Sequence, residues 1–267
     1  MDNKNLFYYN RTDSMKKLVK ENQFLLNTSA NSTVWNGMDE QTRFTANLKK
    51  KDSNWKYRTA PVQYTLNSQG YRTDEFEDIN WQESVVIFGC SMAFGIGVTD
   101  CETVSSILSK IIDRPVINMA ISASSIDYNL HNAIVLRSGY PMPKAVVDVW
   151  TGYDRTLMYK ETQLMYLGPW STQDHHDQTG PYCGLDYMQE WMQDTTHAQA
   201  QSLFNTKLSR QLWKNTTHIE GSYFTHTSNL LGCFKIPFYD QARDLYHPGI
   251  ETNQTLAEYL AEELKGI

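Results

Sequence analysis

The stretch Trp81-Gln82-Glu83-Ser84-Val85-Val86-Ile87-Phe88-Gly89-Cys90-Ser91-Met92-Ala93-Phe94-Gly95-Ile96-Gly97-Val98 sets the fold class of this 267-residue chain. Val85 to Phe88 form a continuous apolar run, the pattern of a strand covered on both faces in a parallel sheet. The run stops at Gly89, and a serine follows two positions later in a Gly-x-Ser-x-small turn. Such a turn lifts a hydroxyl out at the end of a strand and aims the next backbone N–H groups at the same spot. Ser91 is therefore a candidate nucleophile, although a serine placed there also serves as an ordinary helix cap.

Two further apolar runs follow, Pro115 to Ala120 and Lys144 to Trp150. Between the first and second, Val104, Ile107, Leu108, Ile111 and Ile112 recur at helical spacing within Glu102 to Ile112. Between the second and third, Ile126, Leu130, Ala133 and Ile134 do the same within Ser125 to Leu136. The order β-α-β-α-β predicts an α/β fold with a central parallel sheet and right-handed crossovers. Residues 155–233 lose the strand rhythm and become rich in Met, Trp, Tyr and Gln. They read as a helical insertion after the third strand, either a lid whose Trp170, Tyr182, Tyr187, Trp191 and Trp213 line a cleft or a plain subdomain core. Phe234 to Asp240 predicts a further strand, which Pro237 confines to an edge or strand end. Thr252 to Leu264 predicts a closing amphipathic helix with Leu256, Tyr259, Leu260 and Leu264 on one stripe. Residues 1–80, polar and broken, read as an N-terminal extension packed on a domain of residues 81–267.

The composition bounds the partners. With 24 Lys+Arg against 30 Asp+Glu the net charge is -6, and the basic cluster Lys49-Lys50-Lys51 is too small for a phosphate-tracking surface, so nucleic acid is not expected as a partner. No apolar stretch is long enough to span a membrane, and no classical signal peptide opens the chain, so the expected location is cytoplasmic. Cys90, Cys101, Cys183 and Cys233 form no CxxC pair, which fits reduced thiols. The sequons beginning at Asn10, Asn27, Asn31, Asn215 and Asn253 are then expected to stay unmodified. Oligomeric state is left open.

Ligands bind beyond the carboxyl ends of the strands of an open parallel sheet. Asp244-Leu245-Tyr246-His247-Pro248-Gly249 falls just after the last predicted strand. A carboxylate three residues before an imidazole in a tight loop can accept its Nδ1–H and fix the tautomer whose Nε2 deprotonates a serine. A helix-entry histidine is the plainer alternative. His175-His176-Asp177 has no third ligand at a fitting spacing, and adjacent histidines point apart, so no metal site and no cofactor are expected.

The blocks FGCSMAFGIGV, NMAISASSIDYN and DLYHPG resemble the SGNH/GDSL hydrolase superfamily, over roughly residues 81–154 and 234–264. LNSQGYRTDEF (66–76) is similar to a segment that often precedes the sheet in that family. The resemblance implies a flavodoxin-like three-layer sandwich and a serine esterase with Ser91 as nucleophile, His247 as base and Asp244 as its orienting acid. It implies an oxyanion hole from the backbone of Ser91 and of Ala123, where the family carries glycine. The family's block-three Asn falls on Tyr153, a departure that leaves the side-chain amide donor missing; Tyr153, Arg155 or the insertion could supply a substitute, with the Tyr153 hydroxyl the leading candidate. Gly152, Asp154 and Arg155 of the same segment are candidate substrate-binding residues. Cys90 stands where the commonest block-one pattern has Asp, and reads as a buried inert thiol. In the α/β-hydrolase fold the acid and histidine come from separate loops, so their spacing here favours the SGNH arrangement. The expected activity is hydrolysis or transfer of a small acyl group, such as acetyl, on a carbohydrate-like or other small ester substrate. The alternative is a catalytically silent SGNH-like glycan-binding or assembly module.

Overall fold

The computed structural model describes Phe24 and residues 33–160, 163–169 and 195–267. The apolar run Val85–Gly89 is strand β1, buried at every position. It lies between β2 (Val116–Asn118) and β3 (Ala145–Trp150), parallel to both. β4 (Thr156–Lys160) and β5 (Gln163–Leu167) form a separate antiparallel hairpin. β6 (Thr217–Ser222) pairs with β3, and the two-residue edge strand β7 (Phe234–Lys235) with β6, giving the all-parallel order β2-β1-β3-β6-β7. Pro237 sits just past that edge, where a missing N–H interrupts no ladder.

Alternate residues along a strand point to opposite faces, and each face is covered here. Val85, Ile87, Val147 and Val149 pack with Leu108 of α3 (Val104–Ile112) and with Leu256 and Leu260 of α7 (Ile250–Glu263). Val86, Phe88 and Val146 pack with Tyr128 and Leu136 of α4 (Ile126–Gly139) and with Trp213, just beyond α5 (Thr195–Leu212). The result is a flavodoxin-like sandwich of helices, sheet and helices. Burying each large apolar side chain is worth about 1.5–3 kcal/mol, which explains why the central strands read as unbroken apolar runs. Ile111 and Ile134 depart from the predicted stripes, at 44% and 47% exposure. α4 is packed by α5 on one side, and its residues Tyr128 and Leu136 share a cluster with Tyr71, Phe76 and Trp81, so its outward stripe falls on Ile134.

Two expectations need correction. Residues 195–233 do not belong to an insertion: α5 is the crossover from β3 to β6, and α6 (Thr225–Leu231) is the crossover from β6 to β7. β6 escapes detection because Thr-His-Ile-Glu-Gly-Ser carries one aliphatic residue. Its polar side chains meet a partly buried polar layer instead: His218 Nε2 is 2.8 Å from Asp148 Oδ2, which also accepts from Ser209 Oγ, and Glu220 accepts from Trp150 Nε1 and Arg210 Nε. Trp213 is likewise no lid residue, being fully buried and stacked against Phe88 with ring centroids 6.5 Å apart. Trp170, His175, His176, Asp177, Tyr182, Cys183, Tyr187 and Trp191 lie outside the described residues. Among the described residues no helix is long and apolar enough to cross a membrane.

The segment before β1 is built into the core. Tyr57, Val62, Tyr64 and Leu66 join the cluster of Val85 and Ile87, while Phe24, Tyr71, Phe76 and Trp81 join that of Phe88. It also carries α1 (Gln41–Lys50) and an antiparallel bridge between Thr33 and Tyr64.

Candidate active site

Strand β1 delivers Ser91 to the carboxyl edge of the sheet. Gly89 lets the short helix α2 (Ser91–Phe94) fold back onto the strand, since a Cβ at Gly89 would lie 2.7 Å from the Ala93 Cβ and 3.2 Å from Val149. Ser91 becomes the first residue of that turn, and its side chain is held at 7% exposure. Cys90 is buried and free; Cys101 and Cys233 are free as well.

The loop of residues 240–249 brings the acid and the histidine to the same point. Asp244 Oδ1 accepts from the backbone N–H groups of Tyr246 and His247, an Asx-type turn that leaves Oδ2 for the ring. Oδ2 lies 2.5 Å from His247 Nδ1, and His247 Nε2 lies 2.9 Å from Ser91 Oγ across 156 residues of sequence. Burial pushes the Asp244 carboxyl up, but the hydrogen bond and charge of His247, with the two backbone N–H groups, outweigh it and hold the group below the usual carboxylate range. An ionised carboxylate only accepts, so a proton sits on Nδ1, and in the neutral form of the imidazole Nε2 is then the acceptor for the Ser91 hydroxyl. Asp244 and His247 are 3% and 2% exposed, so this chain of hydrogen bonds is shielded from competing water.

Ala123 sits in the loop after β2 with φ +62°, a conformation that suits glycine. The loop is stapled to the last residue of β1: Ser124 Oγ and Ile121 N both donate to the Gly89 carbonyl, at 2.8 and 3.1 Å. No described residue accepts from the Ala123 N–H. Leu245, between the acid and the histidine, also has positive φ, +60°. Two of the three described non-glycine residues with positive φ thus lie in the loops that flank Ser91, where strain is held by surrounding bonds.

The block-three segment leaves the end of β3 and meets the end of β6. The Tyr153 ring packs edge-on against His226 with centroids 4.9 Å apart, and the Asp154 carboxylate folds over Gly152. The Arg155 guanidinium lies 5.3 Å from the Phe224 ring centre. Hydrogen bonds therefore unite Ser91, His247 and Asp244, whereas Gly152, Tyr153 and Arg155 lie against His226 and Phe224, after β6, and Asp154 folds over Gly152. Thr151, at the head of that segment, is fully buried with a hydroxyl unpartnered among the described residues.

Three residues not among the predicted site residues hold these loops: Asn118 and Arg72, which stand in the stretches 118–129 and 66–76 quoted above, and Asp240, which stands in neither. Asn118 donates to the Ala93 carbonyl and accepts from Ala120 N, tying the end of β2 to α2. Arg72, 6% exposed, donates to the carbonyls of Phe94, Gly95 and Val98 and to Asp100, fixing the loop after Ser91. Asp240 accepts from the first N–H groups of α7 and closes the loop that carries His247. Among the described residues no three His, Cys, Asp or Glu side chains gather as a metal ion would require.

Many solved structures similar to this chain are GDSL/SGNH-type hydrolases. TesA is 14% identical with a TM-score of 0.42, over 68% of this chain and 98% of its own. A carbohydrate esterase family 2 enzyme with a carbohydrate-binding domain, from Corynascus thermopiles (Myceliophthora fergusii), is 13% identical with a TM-score of 0.42, over 68% of this chain; the chain spans 65% of that protein, just under two thirds. A GDSL-like lipase from Bacteroides thetaiotaomicron is 13% identical with a TM-score of 0.38, over 72% of this chain and 92% of its own. No family model matches the chain, and no curated protein matches it.

Proposed function

We infer that the chain is a serine ester hydrolase. The observation that carries this reading is the unbroken path from Ser91 Oγ through His247, 2.9 Å away, to Asp244, 2.5 Å beyond. The Ser91 hydroxyl attacks the ester carbonyl while its proton passes to His247 Nε2, and the positive ring is stabilised by the Asp244 carboxylate. The tetrahedral oxyanion is held by the backbone N–H groups of Ser91 and Ala123. Collapse breaks the bond to the alcohol, which leaves with the proton from Nε2. Water, deprotonated by the same nitrogen, then attacks the acyl-serine; its proton returns to Ser91 as the carboxylic acid departs.

An Asn side chain is missing at position 153, and one lost oxyanion donor typically costs ~100- to 1,000-fold in rate. The Tyr153 hydroxyl is the substitute in this reading. The substrate is a small ester, with acetyl as acyl group and a carbohydrate-like alcohol as the leading choice; transfer to a second hydroxyl instead of water uses the same residues. The silent-module alternative draws on the same missing Asn, but it gives no reason for a buried carboxylate, imidazole and hydroxyl to be aligned.

The test is hydrolysis of p-nitrophenyl acetate, butyrate and octanoate, and of an acetylated xylo-oligosaccharide, by wild type and Ser91→Ala. Turnover falling to background in Ser91→Ala supports the reading, and highest kcat/KM on the acetyl esters supports the acyl group. Wild type that turns over none of these, or Ser91→Ala that retains activity, overturns it.

A further inference from the structure

The loop carrying Asp244 and His247 is not part of the sheet, and its central residue Leu245 is strained, so its position must be imposed from outside. Arg243, immediately before Asp244, is where that happens. Its main chain is held at both ends: its N–H donates to the Gly97 carbonyl at 3.0 Å, and its own carbonyl accepts from Asn47 Nδ2 at 3.1 Å. Its guanidinium is buried against the Trp35 ring, 4.2 Å from the ring centre, and forks onto Asp39, with Nη2 2.7 Å from Oδ2 and Nε 2.9 Å from Oδ1. Asp39 is 1% exposed and Arg243 4%. The second anchor of Asp39 is the Tyr64 hydroxyl, which donates to Oδ2 at 2.5 Å and accepts from the Gly97 N–H at 2.7 Å. The contacts close a ring: Asp39 to Arg243, Arg243 to Gly97, Gly97 to Tyr64, Tyr64 to Asp39. Gly97 belongs to the loop that follows Ser91, so the ring ties the nucleophile's side of the site to the base's side.

We propose that Asp39 is a positioning residue for His247, acting through Arg243 and Tyr64 to set the distance between the imidazole and the Ser91 hydroxyl. This rests on the ester-hydrolase reading. A surface ion pair could not do it, because solvent screening and side-chain freedom would leave the loop slack. A buried, bidentate pair has one geometry, and a carboxylate with two independent partners cannot shift without breaking one of them. Misplacing a reacting group by ~1 Å can cost ~100-fold in rate, so the device acts on turnover more than on binding.

The test uses the full chain as wild type, Asp39→Asn and Tyr64→Phe, each assayed well below its own Tm with the folded fraction fixed by circular dichroism. Two readouts are taken: kcat and KM for p-nitrophenyl acetate, and the low-field proton resonance of the His247 Nδ1–H in 15N-labelled protein, which needs no substrate. The expected result is a ~10- to 100-fold loss in kcat with KM within about threefold of wild type, together with a shifted or broadened imidazole resonance. A folded Asp39→Asn whose kcat and resonance match wild type overturns the proposal, even if its Tm has fallen, since that is a structural role alone. If Asp39→Asn does not fold, Tyr64→Phe, which keeps the ring and the ion pair, decides by the same two readouts. Wild type lacking Ser91-dependent hydrolysis overturns the ester reading, and the resonance comparison then decides the positioning role by itself.

Discussion

At the scale of single residues, Asp244 is held charged against the pull of burial, and the proposed hydrolysis uses that charge. Its pKa lies below the ordinary range, since the His247 ring and two backbone N–H groups overcome desolvation. A carboxyl with a lower pKa in the folded state stabilises the fold above its unfolded pKa, and that contribution disappears as pH falls through the folded value. Wild type should therefore lose more thermal stability than Asp244→Asn as pH drops from neutral through the carboxylate range, so the two curves of Tm against pH converge in acid. Parallel curves would mean the carboxylate is not held as described. At neutral pH the same variant should lose kcat by ~1,000-fold or more with the fold intact, because an amide no longer fixes the imidazole tautomer or stabilises the charged ring. Tyr153 carries a second prediction at this scale. If its hydroxyl donates to the oxyanion, Tyr153→Phe should lower kcat by ~100-fold with little change in KM. Unchanged kinetics would reduce Tyr153 to its packing against His226.

At the scale of elements, the site is an assembly of loops leaving parallel strands, and close backbone approach holds them together. Gly97 is the clearest case: its φ is +80°, and a Cβ there would lie 2.7 Å from the Ala242 Cβ and 3.0 Å from Arg243 N. Gly97→Ala must either take up a left-handed conformation or push the loop of Asp244 and His247 away. The expected cost is on the order of 2 kcal/mol, a fall of roughly 4–8 °C in Tm, with kcat reduced beyond what the folded fraction explains. Calorimetry and steady-state kinetics on one preparation check both. Wild-type kcat per folded molecule would show that the loop tolerates the displacement. The same strand-end logic makes β6 informative, because its polar residues are satisfied by Asp148, Trp150 and Arg210 beneath α5 and not by apolar cover.

At the scale of the whole molecule, the described residues before β1 pack into the core of the sheet domain. They supply Tyr57, Val62, Tyr64 and Leu66 to one core cluster and Tyr71, Phe76 and Trp81 to the other. They also supply Asp39, the counter-ion of the buried Arg243, and Arg72, whose guanidinium donates to Asp100 and to the carbonyls of Phe94, Gly95 and Val98. A chain beginning at Trp81 would strip Arg243 of Asp39 and of the Trp35 and Phe44 rings that cover it, and would lose core side chains whose burial is worth about 1.5–3 kcal/mol each. Expressed alone, residues 81–267 should fail to give a cooperative thermal transition. A well-folded, active truncation would make the segment an accessory.

The amino-acid sequence by itself determines the parallel sheet, Ser91 at the end of β1, and the pairing of Asp244 with His247. Each rests on a local pattern: a continuous apolar run, a glycine two residues before a serine, a carboxylate three residues from an imidazole. Such patterns survive translation into structure because the forces that fix them act within one strand or one turn. Only the tertiary structure decides β6, the burial of Trp213, and the ring of Asp39, Arg243, Gly97 and Tyr64. β6 lacks apolar periodicity because its cover is a polar network, and hydrophobic patterning is silent where polar groups satisfy one another. Asp39 and Arg243 stand 204 residues apart, so no window of sequence contains both. Their meeting is set by how the segment before β1 packs against the core and the loops after the strands, and with it the geometry of the loop that carries His247.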